Sequence, residues 1–206
     1  MIYEALNCLA DEMNVYFRNM LKITEDKVII SGIVGQDGVI AIKGENKVLI
    51  TLLNLEKETI GTQSYPGMNN KSSNGSQPLT VNLYVLFSCY FNSNNYSEAL
   101  RFLSFVITFL QDKGMLDHAN TPRLHPLIDR LIFDFENAGT EKLNNIWAML
   151  GAKFMPSVIY KVRMLSFKSN MLSEYRPKIQ SDTLENNDRD NSPLKVFPPA
   201  QANISN

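Results

Sequence analysis

The sequence predicts an α+β domain, with one mixed or antiparallel sheet of about four to five strands flanked by helices. Three observations carry that expectation. The opening segment repeats apolar residues in steps of three and four, which is the period of a helix. Short segments rich in β-branched and aromatic residues follow, with the two-residue alternation of strands. Helical and strand periods then interleave to residue 168 with no internal repeat, a length that fits one domain of the usual ~100–200 residues.

In the first element, Ile2, Ala5, Leu6, Leu9, Met13, Tyr16, Phe17 and Met20 form one apolar stripe on a helix of about six turns, which must dock on something. "VIISGIV", residues 28–34, reads as a short strand, and Gly35-Gln-Asp-Gly38 carries the punctuation of a turn. "KVLITLLNLEKET" is apolar on both faces at first and polar at its far end, as suits a central strand that leaves the core. Residues 61–77, "GTQSYPGMNNKSSNGSQ", have no period and read as a long loop that either binds something or is disordered. "PLTVNLYVLFSCYF" is the clearest strand. Leu79, Val81, Leu83, Val85 and Phe87 share its apolar face, while Thr80, Asn82, Tyr84 and Leu86 share a half-polar one.

Ser97 is placed to cap the next helix, with Glu98 favourable to its dipole. Its stripe is Leu100, Leu103, Val106, Ile107 and Leu110, widened by Phe102, Phe105 and Phe109, and a helix so apolar is expected to lie between two surfaces. Residues 114–126 read as a loop, and "DRLIFDFEN" as a strand with one wet face. Thr140 is placed to cap a short helix that buries Leu143, Ile146, Trp147 and Leu150, closed by a left-handed Gly151. A last strand, "SVIYKVRMLSF", puts Val158, Tyr160, Val162 and Met164 on one side and Ile159, Lys161, Arg163 and Leu165 on the other.

Residues 1–168 are thus expected to form the domain, and residues 169–206 a flexible C-terminal extension, because the latter hold few large apolar groups to offset ordering entropy. Within that extension, "PLKVFPP" sets Leu194, Val196 and Phe197 between prolines. It reads either as part of an idle tail or as a short docking motif ordered by a partner.

Composition narrows the function. An apolar share of 44% with 20% charged residues is ordinary for a globular chain, and a net charge of −1 offers no broad basic surface for nucleic acid. Cys8 and Cys89 have no CxxC spacing and read as buried thiols. The N-terminus lacks a basic leader, so no signal peptide is expected. The longest apolar runs fall short of the roughly 18 residues of a membrane span, so no membrane insertion and a cytoplasmic assembly are expected.

Reactive groups do not converge. His118 and His125, with Asp117 nearby, lack a third ligand at metal spacing and read as loop histidines. Asp134 and Glu136 read as the wet face of a strand rather than an acid–base pair, which would need an apolar pocket around one carboxyl. "SGIVGQDG" lacks the Lys-Ser/Thr of a phosphate loop. No catalysis, cofactor or metal is expected. The apolar surplus of the two later helices points either to a generous core or to a face that meets another subunit.

Five stretches taken in order carry a family resemblance: "IYEALNCLADEMN", "ENKVLITLLNLEKE", "PLTVNLYVLFSCYF", "YSEALRFLSFVITFLQ" and "EKLNNIWAMLGAKFMPSVIYKVRML". In order and spacing they resemble the cap, or tail-terminator, family of phage-tail-like contractile injection systems, over nearly all of residues 1–168. The resemblance implies a terminator-like α+β fold and a homo-oligomer closed as a hexameric ring. That ring would sit on the last layer of the inner tube protein and the sheath protein, end polymerisation and anchor the sheath, in a particle released outside the cell or fixed to a membrane. The loop "GMNNKSSNGSQ" and the short polar C-terminus depart from the family pattern. Interface residues expected on this reading are Lys153, Lys161 and Arg163, with Leu194, Val196 and Phe197 in the extension. The alternatives are a baseplate or tube-initiating adaptor of the same particle, or a cytosolic ligand-binding or enzyme domain.

Overall fold

A computed structural model describes residues 1–35, 37–42, 44–58 and 79–167. The loop read over 61–77 and the extension with Leu194, Val196 and Phe197 lie outside the described residues.

The first helix, α1, spans Ile2–Leu21 and buries Ala5, Leu6, Cys8, Leu9, Ala10, Met13, Asn14 and Phe17. The expected stripe holds along most of its length. Met20 departs from it and is exposed, because the helix ends there with Lys22 in the left-handed region at φ 53°. A residue with a Cβ is strained in that conformation by roughly 1–2 kcal/mol, whereas glycine is not. Lys22→Gly is therefore expected to raise unfolding stability by about 1 kcal/mol, read as a higher urea midpoint at unchanged slope.

Among the described residues, six strands form one sheet in the order β1-β2-β3-β6-β5-β4. They are β1 (Val28–Ile30), β2 (Lys47–Lys57), β3 (Leu79–Tyr90), β4 (Met115–Asp117), β5 (Arg130–Phe135) and β6 (Ser157–Phe167). β1 runs parallel to β2, and every other neighbouring pair is antiparallel. The sheet is mixed, as expected, but has six strands rather than four or five. The additional strand is β4, inside the stretch read as a loop, and its three residues are too few to show alternation. Between β1 and β2, Gly35 N–H donates to Val39 O at 2.8 Å and Gly38 has φ 75°.

One face of the sheet carries α1 and α2, which spans Tyr96–Lys113. Val48, Ile50, Leu83, Val85, Phe87, Leu131, Phe133, Val158, Tyr160 and Val162 point into this main core. Phe17 of α1 meets Phe102 of α2 edge-on at 5.5 Å, and Lys113 bridges back to Glu12 at 2.8 Å. The opposite face carries α3 (Thr140–Leu150), and there Ile33, Leu49, Leu86, Trp147 and Ile159 form a smaller core. Trp147 is buried and the other residues of the expected face, Leu143, Ile146 and Leu150, are half-buried against the same core, while Gly151 closes the helix at φ 64° as expected.

The expected caps are corrected. A 3-10 turn at Ser93–Asn95, closed by the Asn92 side chain, feeds α2 directly, so Ser97 lies inside the first turn. Extended Gly139 occupies the N-cap position of α3, so Thr140 is already helical. The buried arc of α2 is also rotated from the expected stripe. Ala99, Phe102, Val106, Phe109 and Leu110 are inside, while Leu100 and Ile107 are 43% and 36% exposed. Apolar residues surround this helix so widely that period alone does not rank its arcs. The side that meets β3 and α1 decides.

Candidate interaction surfaces

Both outer strands of the sheet are short, and an asparagine side chain engages the backbone of each. Asn14 of α1 is 5% exposed and lies against β1. Its Oδ1 accepts from Lys27 N–H at 2.9 Å and Val28 N–H at 2.8 Å, while its Nδ2 donates to Val28 O at 2.9 Å. At the far edge, Asn120 accepts from Asp117 N–H at 3.0 Å and donates to Met115 O at 2.9 Å. Thr121 N–H takes Asp117 O at 2.8 Å. An unpaired edge strand is a template for another chain, and groups already engaged in this way are closed to a new strand. Neither asparagine is marked in the sequence, because its role depends on a strand edge brought to it by the fold.

The residues expected at an interface divide into two groups. Lys161 and Arg163 lie on the α3 side of β6, opposite Tyr160 and Val162, and both are engaged within the chain. Lys161 Nζ sits 5.8 Å from the centre of the Tyr84 ring, which Lys142 also approaches at 5.8 Å. Arg163 Nε lies 2.9 Å from Asp134 Oδ2, a contact of charge rather than an aligned hydrogen bond. Glu136 pairs with Lys142 at 2.6 Å. Asp134 and Glu136 therefore form the wet strand face expected, each held by a cation. The Tyr84 hydroxyl donates to Glu56 at 2.8 Å, and burial together with that carboxylate pushes its pKa up to about 12. Lys153 stands apart, exposed in the loop after α3 and in no ion pair among the described residues.

Beside it lies apolar surface. Phe154 is 60% exposed and stacks edge-on against Trp147 at 5.7 Å. Met149 is 66% exposed and shares one face of α3 with Ile146, Glu141, Lys142 and Asn145. On the other side of the sheet, α2 turns Tyr96, Leu100 and Ile107 outward. On the outer side of α2, Leu100 and Ile107, read from the sequence as core, face outward.

Of the remaining candidates, Asp117 and His125 are engaged in local turns. Asp117 Oδ1 accepts from Ala119 and Asn120 N–H, and His125 Nδ1 from Leu127 N–H, so these loop residues fasten turns. Among the described residues no group of three His, Cys, Asp or Glu side chains could hold a metal. Cys8 and Cys89 are free and buried, and burial pushes the Cys89 thiol up to about 12. Among the described residues no helix is long and apolar enough to cross a membrane.

As a class, the described residues form a three-layer α+β domain whose edge strands are engaged by side chains and whose outer helices carry exposed apolar residues. The particular family follows from the sequence: the model of the Pvc16 N-terminal domain matches residues 5–181, and the chain belongs to that family. The resemblance to contractile-injection-system terminators is thereby borne out. Among solved structures, the sheath/tube terminator of the extracellular contractile injection system PVC, in its extended state, is similar at 14% identity with a TM-score of 0.54. That match covers all of this chain, which spans 64% of the length of the solved one. The tube-terminating cap of the anti-feeding prophage is similar at 15% identity with a TM-score of 0.49, over 80% of this chain and 54% of that one. At such identities the likeness is one of fold. Among curated proteins none matches the chain.

Proposed function

We propose that this protein is a structural cap that closes as a hexameric ring on the end of the inner tube and sheath of a contractile injection system. There it stops polymerisation and anchors the sheath. The observation that carries the reading is the family match across residues 5–181. Physical reasoning favours it. A polymer with head-to-tail contacts keeps an open growing end, and a closed ring with one compatible face ends growth. Contacts that are weak singly hold firmly when several engage together.

On this reading the domain is residues 1–168, assembled in the cytoplasm, and its work is contact rather than catalysis. Lys153, Lys161 and Arg163 contribute to the contact surface. The extension 169–206 docks through Leu194, Val196 and Phe197 onto an exposed strand edge of a partner, because an added segment can complete the ladder of a sheet edge. Deleting the gene is the test. Tubes or sheaths of uncontrolled length are expected. Particles of unchanged length would overturn the reading, and a complete absence of tubes would mark an initiating adaptor instead.

A further inference from the structure

Asn14 closes the β1 edge at Val28 and leaves it open two residues further on. Lys27 O accepts from Val48 N–H at 2.7 Å and Ser31 N–H donates to Ile50 O at 3.2 Å, so residues 27, 29 and 31 turn their backbone groups toward β2. Val28 and Ile30 turn theirs outward, because the direction alternates along a strand. Both groups of Val28 are taken by the Asn14 amide, whereas Ile30 N–H and C=O meet no partner among the described residues. By accepting from Val28 N–H and donating to Val28 O, that amide reproduces the two bonds that one residue of an antiparallel neighbour would make. Ile30 lies in a cleft of about 270 Å³ between two elements. Tyr3, Asn7 and Asp11 of α1 stand on one side of it, and Ile29 and Ile30 of β1 on the other. The lining holds two carboxylates, Asp11 and Asp26, and no basic side chain. Arg18 pairs with Asp26 from outside the cleft. Asp11 is exposed, accepts from Asn7 Nδ2 at 3.2 Å and has no cation among the described residues.

We propose that this cleft binds an extended segment of a partner protein, which pairs antiparallel with Ile30 and turns a lysine or arginine toward Asp11. Residues directly opposite each other in an antiparallel pair set their side chains on the same face. Ile30 packs against the main core, on the side of α1, while Ile29 packs against the smaller core. The residue opposite Ile30 therefore lies on the α1 side with Asp11, and its two neighbours lie on the side of Ile29, where aliphatic groups fit. That alternation defines the occupant: cationic toward α1 and aliphatic away from it. Backbone bonds to Ile30 supply the ladder, and the carboxylate selects the side chain. The inference stands on the strand edge and the cleft, independently of the cap reading.

Amide NMR of the full chain, titrated with the peptide acetyl-Val-Lys-Val-Lys-Val-amide, is the test. At saturation the Ile30 amide should shift and exchange its proton at least about tenfold more slowly. Methylating the backbone nitrogens of the peptide's lysines should abolish binding, because those N–H groups face Ile30, and methylating those of its valines should spare it. The glutamate analogue, acetyl-Val-Glu-Val-Glu-Val-amide, should bind at least about threefold more weakly. Asp11→Lys, a change at an exposed position, should reverse that preference. No binding at millimolar peptide would overturn the proposal, as would a preference that Asp11→Lys leaves unchanged. Equal binding of the lysine-methylated peptide would also overturn it, and so would loss of binding on valine methylation, which would mean parallel pairing. An Ile30 amide that already exchanges slowly without peptide would show the edge filled by a segment of this chain or of a second copy, which overturns it too.

Discussion

Trp147→Ala is expected to destabilise the protein by about 3–5 kcal/mol, which is a large share of the ~5–15 kcal/mol that holds a domain together. Trp147 is the single tryptophan of the chain and the one fully buried residue of α3. Its indole fills the small core with Ile33, Leu49, Leu86 and Ile159, and it also supports Phe154. Without it α3 is seated on the sheet only by the half-buried Leu143, Ile146 and Leu150. Urea unfolding followed by far-UV circular dichroism reads the loss, since the variant has no indole fluorescence. Trp147→Phe keeps most of the buried area and is expected to cost less than half as much. Equal midpoints for wild type and the alanine variant would show that α3 is not held by this residue.

The second large effect is expected at Asn14. One truncation to alanine removes partners from Lys27 N–H, Val28 N–H and Val28 O together. A buried polar group left unsatisfied costs about 1–3 kcal/mol, so a loss of about 3 kcal/mol is expected after partial rescue by water. The damage should be local as well as global. Amide hydrogen exchange at Lys27 and Val28 should accelerate in the alanine variant more than exchange in β3, and association should rise with concentration as the uncovered edge accepts another strand. An alanine variant that is as stable and as monodisperse as its parent would mean that the edge is closed by something else.

Periodic segments were legible in the sequence because a buried face imposes its period on the chain. Helix α1, strands β2, β3 and β6, the helix around Trp147 and its closing Gly151 all follow from spacing and residue type. Where the pattern is too short or too uniform, the information is elsewhere. The three residues of β4 cannot alternate long enough to be recognised, and only their ladder to β5 makes them a strand. Helix α2 has apolar residues on so many sides that its inward arc is chosen by β3 and α1, which left Leu100 and Ile107 outside. Lys161 and Arg163 could be assigned to the correct side of their strand, yet their neighbours Tyr84 and Asp134 come from other strands and lie far away in sequence.

By itself, then, the sequence determined the α+β class, most elements, the buried thiols, the closing glycine and the family, all of which depend on local spacing or residue order. Tertiary structure alone decided the sixth strand, the two asparagines on the sheet edges, the cations already engaged by Tyr84 and Asp134, and the division of apolar residues between core and surface. The reason is physical. A side chain's period along its own element says that it has a preferred face, but burial and hydrogen bonding are set by what distant segments bring against that face.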